Sequence, residues 1–370
     1  MVVLAAGCGT LPIAEVQEAP AASSIETTLY LIGDAGVPDE EGEPVFEALT
    51  EDIAGLPPGT RPLTVFLGDN IYPRGMPPPD APNRADAERR LAAQIAVAVA
   101  TETDAIFVPG NHDWDFAGTP DRERVVQAAQ FGESIGQGRV RFLPAGTCPG
   151  PETVDVGTHV RLILLDTQWW LFSDPFGGIP ETCPTHNRRE VLDSLRAAIA
   201  SAGSRHVIVA GHHPLASSGV HGGYFTFGQH LFPLREKYRW AWIPLPGLGS
   251  AYPIARRLGI SDQDISGPRY TRMRAAFDSV FTERTPLVFA GGHEHTLQVI
   301  ADESPRFHIV SGAGNYGHIS PVGRESGTLF AAASSGYVRL DFQSDGRVRL
   351  GVIVVDARAA RNEAYSLYLQ

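Results

Sequence analysis

The sequence implies an α/β fold in which strands and helices alternate and polar side chains collect at strand ends. Three observations carry this. Apolar runs of strand length recur along the chain, each bounded by turn-forming residues. Helix-forming stretches separate several of them. Five of the runs lead into a Gly followed by Asp, Asn or His, at Gly33, Gly68, Gly110, Gly211 and Gly292. In open α/β sheets ligands gather outside the carboxyl ends of strands, and Gly there lets the backbone turn sharply and come close to a ligand.

Taken in order, "TLYLIG" (Thr28 to Gly33) reads as a buried strand ending in Asp34, and a short helix follows from Pro44 to Ala54. "LTVFLG" is a second strand, ending in Asp69. An Ala-rich helix over about Arg84 to Ala100 carries its charges early and its apolar residues late. "AIFVPG" is a third strand, ending in Asn111 and His112. "VRLILLD" and "HVIVAG" are two more, with a helix near Arg188 to Ala200 between them. "PLVFAGG" ends in His293 and His295, and "RFHIVSG", "GYVRLDF" and "RVRLGVIVV" give shorter strands beyond it. Between "HVIVAG" and "PLVFAGG", from about residue 222 to 268, lies an aromatic, Pro/Gly-rich segment too long for an ordinary connection. It reads as an insertion near the strand ends, a lid or pocket wall, in a single domain spanning residues 28–370.

Composition limits the partners. The net charge is −12 and no run of Lys or Arg stands out. That speaks against a nucleic-acid groove and against an anionic membrane surface as the main partner. A small phosphate ester stays compatible, because bound metal ions can dominate the local field. Cys8, in "VVLAAGCGT", follows small residues and a short apolar run, as at the end of a bacterial lipoprotein signal. Residues 1–27 therefore read as a signal remnant and tether, with a lipid anchor at Cys8 as the membrane contact and an exported location. In an exported protein Cys148 and Cys183 would pair.

The strand-end residues form one list: Asp34, Asp69, Tyr72, Asn111, His112, His212, His293 and His295. Singly, each has a structural explanation, since Asp after a strand usually caps a turn or helix. Together they offer two carboxylates, a phenol, an amide oxygen and several imidazoles, with no thiolate. Hard oxygen and imidazole donors suit Fe, Mn or Zn. His159, His206 and His308 lie in or beside strands and read as structural. His213 reads as a supporting residue, and His318, Asn315 and Tyr316 as residues able to line a pocket. Arg269, Arg272 and Arg274 read as a solvated helix face.

Five ordered segments, "GDAG" (Gly33 to Gly36), "GDNIY" (Gly68 to Tyr72), "GNHD" (Gly110 to Asp113), "GHHP" (Gly211 to Pro214) and "GHEH" (Gly292 to His295), resemble those of calcineurin-like metallophosphoesterases. The GDxG form of the first and the tyrosine of the second resemble the purple acid phosphatase branch, in a bacterial member. "HHPLASSGVHG" adds a further match. The resemblance implies a four-layer α/β/β/α sandwich, two mixed sheets flanked by helices. It implies Fe(III) held by Asp34, Tyr72 and His295, and Fe(II), Zn or Mn held by Asn111, His212 and His293, with Asp69 bridging. His112 is then the general acid or phosphate donor, His221 a substrate-binding histidine, and Asp113 a residue that orients His112.

That arrangement fits hydrolysis of a small phosphorylated substrate by a metal-activated hydroxide attacking phosphorus in line. A free phenol has a pKa of about 10, so a bound phenolate requires a strong Lewis acid, which favours a trivalent iron beside a divalent partner. A phosphomonoesterase of acid phosphatase type is the leading reading. A phosphodiesterase or a nucleotide or pyrophosphate hydrolase on the same centre is the alternative, because the five segments build the metal site and leave the substrate pocket open. A non-catalytic binding module is the reading from another class, and it would be expected to have lost ligands.

Overall fold

The apolar runs are buried on both faces, and this sets the architecture. The computed structural model describes residue 19 and residues 24–115, 121–172, 179–236, 238 and 240–369. Cys8 and most of the expected tether lie outside the described residues. The chain begins with β1 (Ile25–Ile32), α1 (Pro44–Ala54), β2 (Arg61–Phe66), α2 (Arg84–Thr101), β3 (Asp104–Phe107), α3 (Arg122–Ile135), β4 (Val140–Phe142) and β5 (Glu152–Val156). It continues through β6 (Val160–Leu164), α4 (Thr167–Leu171), α5 (Arg188–Ala200), β7 (His206–Ala210), α6 (Phe227–Leu231), α7 (Ala251–Arg257), α8 (Pro268–Phe281) and β8 (Val288–Gly291). The strands β9 (Leu297–Ala301), β10 (Phe307–Ser311), β11 (Thr328–Ala332), β12 (Gly336–Gln343), β13 (Val348–Val355) and β14 (Arg361–Leu369) complete it.

These strands form two seven-stranded sheets, ordered β14-β13-β12-β1-β2-β3-β4 and β11-β9-β10-β8-β7-β6-β5. Both are mixed. In the first, β1 to β4 run parallel and β12 joins β1 antiparallel. In the second, β6, β7, β8 and β10 run parallel and the flanking strands antiparallel. Strand side chains alternate between faces. Leu29, Leu31, Val65 and Ile106 meet Leu162, Leu164, Ile208 and Ala290 between the sheets. Their neighbours Tyr30, Ile32, Phe66 and Phe107 turn outward onto α1, α2 and α3. On the other side Ile163, Val207, Val209 and Phe289 pack on α5 and α8. The result is the helix–sheet–sheet–helix sandwich that the family resemblance implies.

The two sheets are joined at the ends that carry the polar residues. Gly33 N–H donates to Ser311 O (2.7 Å) and Gly314 N–H to Gly33 O (3.0 Å) across the sheets, while the bonds from Asp34 N–H to Gly68 O (3.0 Å) and from Gly292 N–H to His212 O (2.8 Å) each tie neighbouring loops within one sheet. The loops after β1, β2, β7, β8 and β10 are therefore fixed against one another. Cys148 and Cys183 form a disulfide with Cα atoms 5.5 Å apart.

Candidate metal centre

Local backbone geometry places the donors. Asp34, Asp69 and His293 each have a left-handed backbone, with φ of 55°, 55° and 66°. Non-Gly residues rarely adopt this conformation, and they persist in it where the surroundings fix them. Here Asp34 N–H donates to Gly68 O (3.0 Å), Asn70 N–H next to Asp69 donates to Asp113 (3.1 Å), and His293 N–H donates across the sheets to Asp34 Oδ2 (2.7 Å). Gly68 makes room for a ligand: a Cβ there would lie 2.6 Å from His212 Nδ1.

Seven side chains converge. The Tyr72 hydroxyl lies 2.9 Å from Asp34 Oδ1, 3.0 Å from Asp69 Oδ2 and 3.1 Å from His295 Nε2. Around a second point, Asn111 Oδ1 lies 2.8 Å from His212 Nε2 and 3.0 Å from His293 Nδ1. Asp69 stands between the two groups. Its Oδ2 faces Tyr72, while its Oδ1 lies 3.4 Å from His212 Nε2 and accepts from His112 N–H at 2.8 Å. All seven residues expected as ligands are thus brought together, in the two sets expected, with one carboxylate facing both.

The donor chemistry fits cations at this place. His212 Nδ1 donates to Leu67 O (2.8 Å), so in the neutral imidazole it is Nε2 that holds the lone pair, facing Asn111 Oδ1 and Asp69 Oδ1. His293 Nε2 donates to Gln263 O (2.8 Å), so its Nδ1 presents a lone pair to the same amide oxygen. Lone pairs facing one another in a buried site need positive charge among them. The protonation tendencies agree. Burial disfavours charge on His212, yet Asp69 outweighs it and pushes the imidazole up to about 9. His293 cannot take the proton, because burial and the neighbouring histidines 221, 213 and 212 hold it well below the usual range. Burial, then the charges of Asp34 and Asp69, push the Tyr72 phenol well above its ordinary value. Only a strong Lewis acid would reverse that. Among the described residues, ligand atoms of Asp34, Asp69 and His212, and of His212, His213 and His293, lie within 4.8 Å of one another. His213 is nevertheless engaged elsewhere, with Nδ1 2.9 Å from Thr167 Oγ1 and Nε2 2.9 Å from Gln263 Oε1.

Two histidines flank the set. His112 packs on Tyr72 with ring centroids 4.4 Å apart. Its Nδ1 faces Pro73 O at 2.7 Å, which turns Nε2 to within 3.9 Å of Asp69 Oδ2. His221 lies against His293, with ring centroids 4.1 Å apart. Asp113 departs from expectation. Its carboxylate does not orient His112 but accepts from Gly110 N–H (2.8 Å), Asn70 N–H (3.1 Å), Ile71 N–H (3.1 Å) and Asn70 Nδ2 (3.0 Å). In this turn adjacent side chains diverge, so Asp113 binds the second loop to the third while His112 packs on Tyr72. His318 does line the centre, 4.0 Å from the His295 ring and 5.1 Å from Tyr72. Asn315 does not: it accepts from Val37 N–H and donates to Glu43.

The residues that motif reading missed come from the 222–268 segment. Asp264 is buried, accepts from His221 Nδ1 (2.9 Å) and forms a close ion pair with Arg256. Gln263 meets His293 through its carbonyl and His213 through its side chain. In sequence "SDQDISG" looks like a solvated turn, and its only signal was membership of an overlong connection ending near the strand ends.

Comparison with known proteins adds the following. A family model described as calcineurin-like phosphoesterase matches residues 27–243. No curated protein matches. Among solved structures, GAP50, described as the anchor in the inner membrane complex of Plasmodium, is 14% identical, with a TM-score of 0.54 over 94% of this chain and 89% of that one. The purple acid phosphatase PPD1 from yellow lupin (Lupinus luteus) seeds is 14% identical, with a TM-score of 0.53 over 92% of this chain and 53% of that one. This chain thus spans about half the length of the lupin enzyme. At such identity the likeness shows the fold.

Proposed function

Because this chain belongs to the calcineurin-like phosphoesterase family, we propose that it hydrolyses small phosphate monoesters at a two-metal centre of the purple acid phosphatase kind. The observation that carries the proposal is Asp69, whose two oxygens face two separate donor sets, one of which contains a tyrosine. Asp34, Tyr72 and His295 would hold the first metal, taken to be Fe(III), and Asn111, His212 and His293 the second, taken to be Fe(II), Zn or Mn. When bound, such a pair supplies Lewis-acid charge for a phosphoryl group and acidifies a water enough to serve as nucleophile.

The protein's own groups do the rest. Leu67 O and Gln263 O fix the tautomers of His212 and His293, so their lone pairs point inward. His112, held through Pro73 O, presents Nε2 beside the Asp69 carboxylate, where an imidazole can donate a proton to a leaving alkoxide. His221, held through Asp264, offers its remaining nitrogen to a phosphate oxygen. The full donor set speaks against the non-catalytic reading. Export with a lipid anchor at Cys8 is part of the same proposal, and the Cys148–Cys183 disulfide supports it, because such bonds persist in oxidising compartments.

The test is metal analysis of the purified protein with a visible spectrum. A tyrosinate-to-Fe(III) charge-transfer band that disappears in Tyr72→Phe is expected. Stoichiometric zinc with no band refutes the iron assignment. Turnover of p-nitrophenyl phosphate well above its bis ester is expected, and the reverse preference would make the enzyme a diesterase.

A further inference from the structure

We propose that the outer side of the 222–268 segment docks onto an anionic lipid surface. The first observation is where the exposed apolar side chains lie. Twelve of the sixteen large hydrophobic residues that the described protein leaves exposed fall between Tyr224 and Ile260. Phe227, Trp240, Trp242, Leu248, Leu258 and Ile260 are each 60–81% exposed. Scattered exposed apolar residues need no explanation, but several of these have aromatic neighbours in space, with Trp242 against Phe232 (5.4 Å between ring centroids) and Trp240 against Tyr238 (6.0 Å), and contiguous exposed apolar surface marks an interaction site.

The second observation is charge. The segment carries Arg235, Lys237, Arg239, Arg256 and Arg257 against Glu236, Asp262 and Asp264, in a chain whose net charge is −12, and Asp262 and Asp264 at its far end are paired with Arg269 and Arg256. Arg256 is occupied by Asp264, whereas Arg235 lies over the Trp242 ring at 3.5 Å from its centroid, and Arg257 is exposed. Basic side chains beside Trp, Tyr and aliphatic residues suit the boundary between lipid headgroups and acyl chains. Two copies packed through this patch would oppose like charges, which disfavours self-association as its use. The unfavourable whole-chain charge does not decide the matter, because exposed charges more than a Debye length away are largely screened.

The patch is built on ordered elements. Thr226 caps α6 in a reciprocal pair with Gln229, Leu245 N–H donates to Leu231 O (2.8 Å), and Phe225 packs on Tyr252. No helix of the described residues is long and apolar enough to cross a membrane, and docking of this kind needs none. Near the end of the segment Gln263 and Asp264 touch His293 and His221. A lipid surface held by its outer side would therefore grip the same segment that supports the centre.

The test uses the full chain carrying Cys8→Ser, so that no lipid anchor contributes. It is spun with vesicles of phosphatidylcholine alone or mixed equally with phosphatidylglycerol. Partition to the anionic vesicles, weakening with salt, is expected. Trp240→Ser/Leu248→Ser and Arg235→Glu/Arg257→Glu should each weaken it by roughly tenfold. Both side-chain pairs are exposed, so an unchanged urea midpoint shows that the variants fold. A parent that ignores anionic vesicles overturns the proposal. So does equal partition of parent and folded variants, or a concentration-dependent dimer, lost in the variants, without vesicle binding. If the first pair misfolds, the charge-reversed pair decides alone.

Discussion

Asp113→Asn isolates what holds the second and third loops together. The Asp113 carboxylate receives N–H groups from Gly110, Asn70 and Ile71 and the Asn70 side-chain amide, all between 2.8 and 3.1 Å. Every one of these contacts is a donor, so the arrangement suits the ionised form, which only accepts. Burial and the negative charge of Asp69 push the other way, raising this carboxyl to about 7. Cations beside Asp69 would remove the second of these opposing effects. In the Asn variant one oxygen becomes an NH2 group facing donors. Even in its better orientation, with the oxygen kept toward Gly110, the Ile71 N–H is left buried without an acceptor, at a cost of about 1–3 kcal/mol. The retained bonds also lose their charge assistance. A total destabilisation of roughly 2–4 kcal/mol follows, a large share of the 5–15 kcal/mol typical of a domain. Loosened loops should weaken metal binding by about 10–100-fold. Urea unfolding of metal-free protein measures the first quantity, and chelator competition the second. If the variant matches the parent in both, the carboxylate is not an ionised tie between the loops and the reasoning fails.

Two further predictions follow from the same structure. Asp264→Asn removes the negative charge beside His221 Nδ1, which keeps Gln263 O as an acceptor at 3.1 Å, and should raise KM for p-nitrophenyl phosphate about tenfold while moving kcat little. Steady-state kinetics at matched metal content read this. A fall in kcat alone would show that Asp264 merely supports the fold, and Arg256→Lys should keep most of the effect in check by preserving the charge on Asp264. Removing the disulfide in Cys148→Ala/Cys183→Ala opens a loop closed over 35 residues, which by chain entropy costs about 4 kcal/mol. The urea midpoint should fall accordingly, and an unchanged midpoint would mean that the bond constrains nothing.

The parts of the site that were legible in sequence are those fixed by backbone geometry. A strand, a Gly and a polar residue recur because each donor must leave a strand end in a tight turn, and Asp34, Asp69 and Asn111 stand where that pattern puts them. Helices α1 and α5 were legible for a related reason, since Pro44 opens the first and Asn187 caps the second. The three-residue β4 carries too little pattern to be read alone. Asp113 misled through adjacency: it follows His112 in sequence, but neighbours in a turn point apart, and its partners sit in another loop.

The 222–268 segment was opaque for a different reason, and it holds both the supporting residues and the exposed surface. Its helices are short and its Pro and Gly interrupt any period, so no amphipathic pattern marks which side faces inward. Asp264 becomes informative only once the fold places it against His221, at a sequence distance no local rule spans. Net charge is a coarse guide for a related reason. A total of −12 averages over surfaces that face different ways, whereas a partner feels only the charges within about a Debye length. Read locally, the segment expected as a lid or pocket wall has an inner side that steadies two histidines of the centre. Its outer side is basic and aromatic, and the vesicle experiment and the Asp264 variant probe these two sides separately.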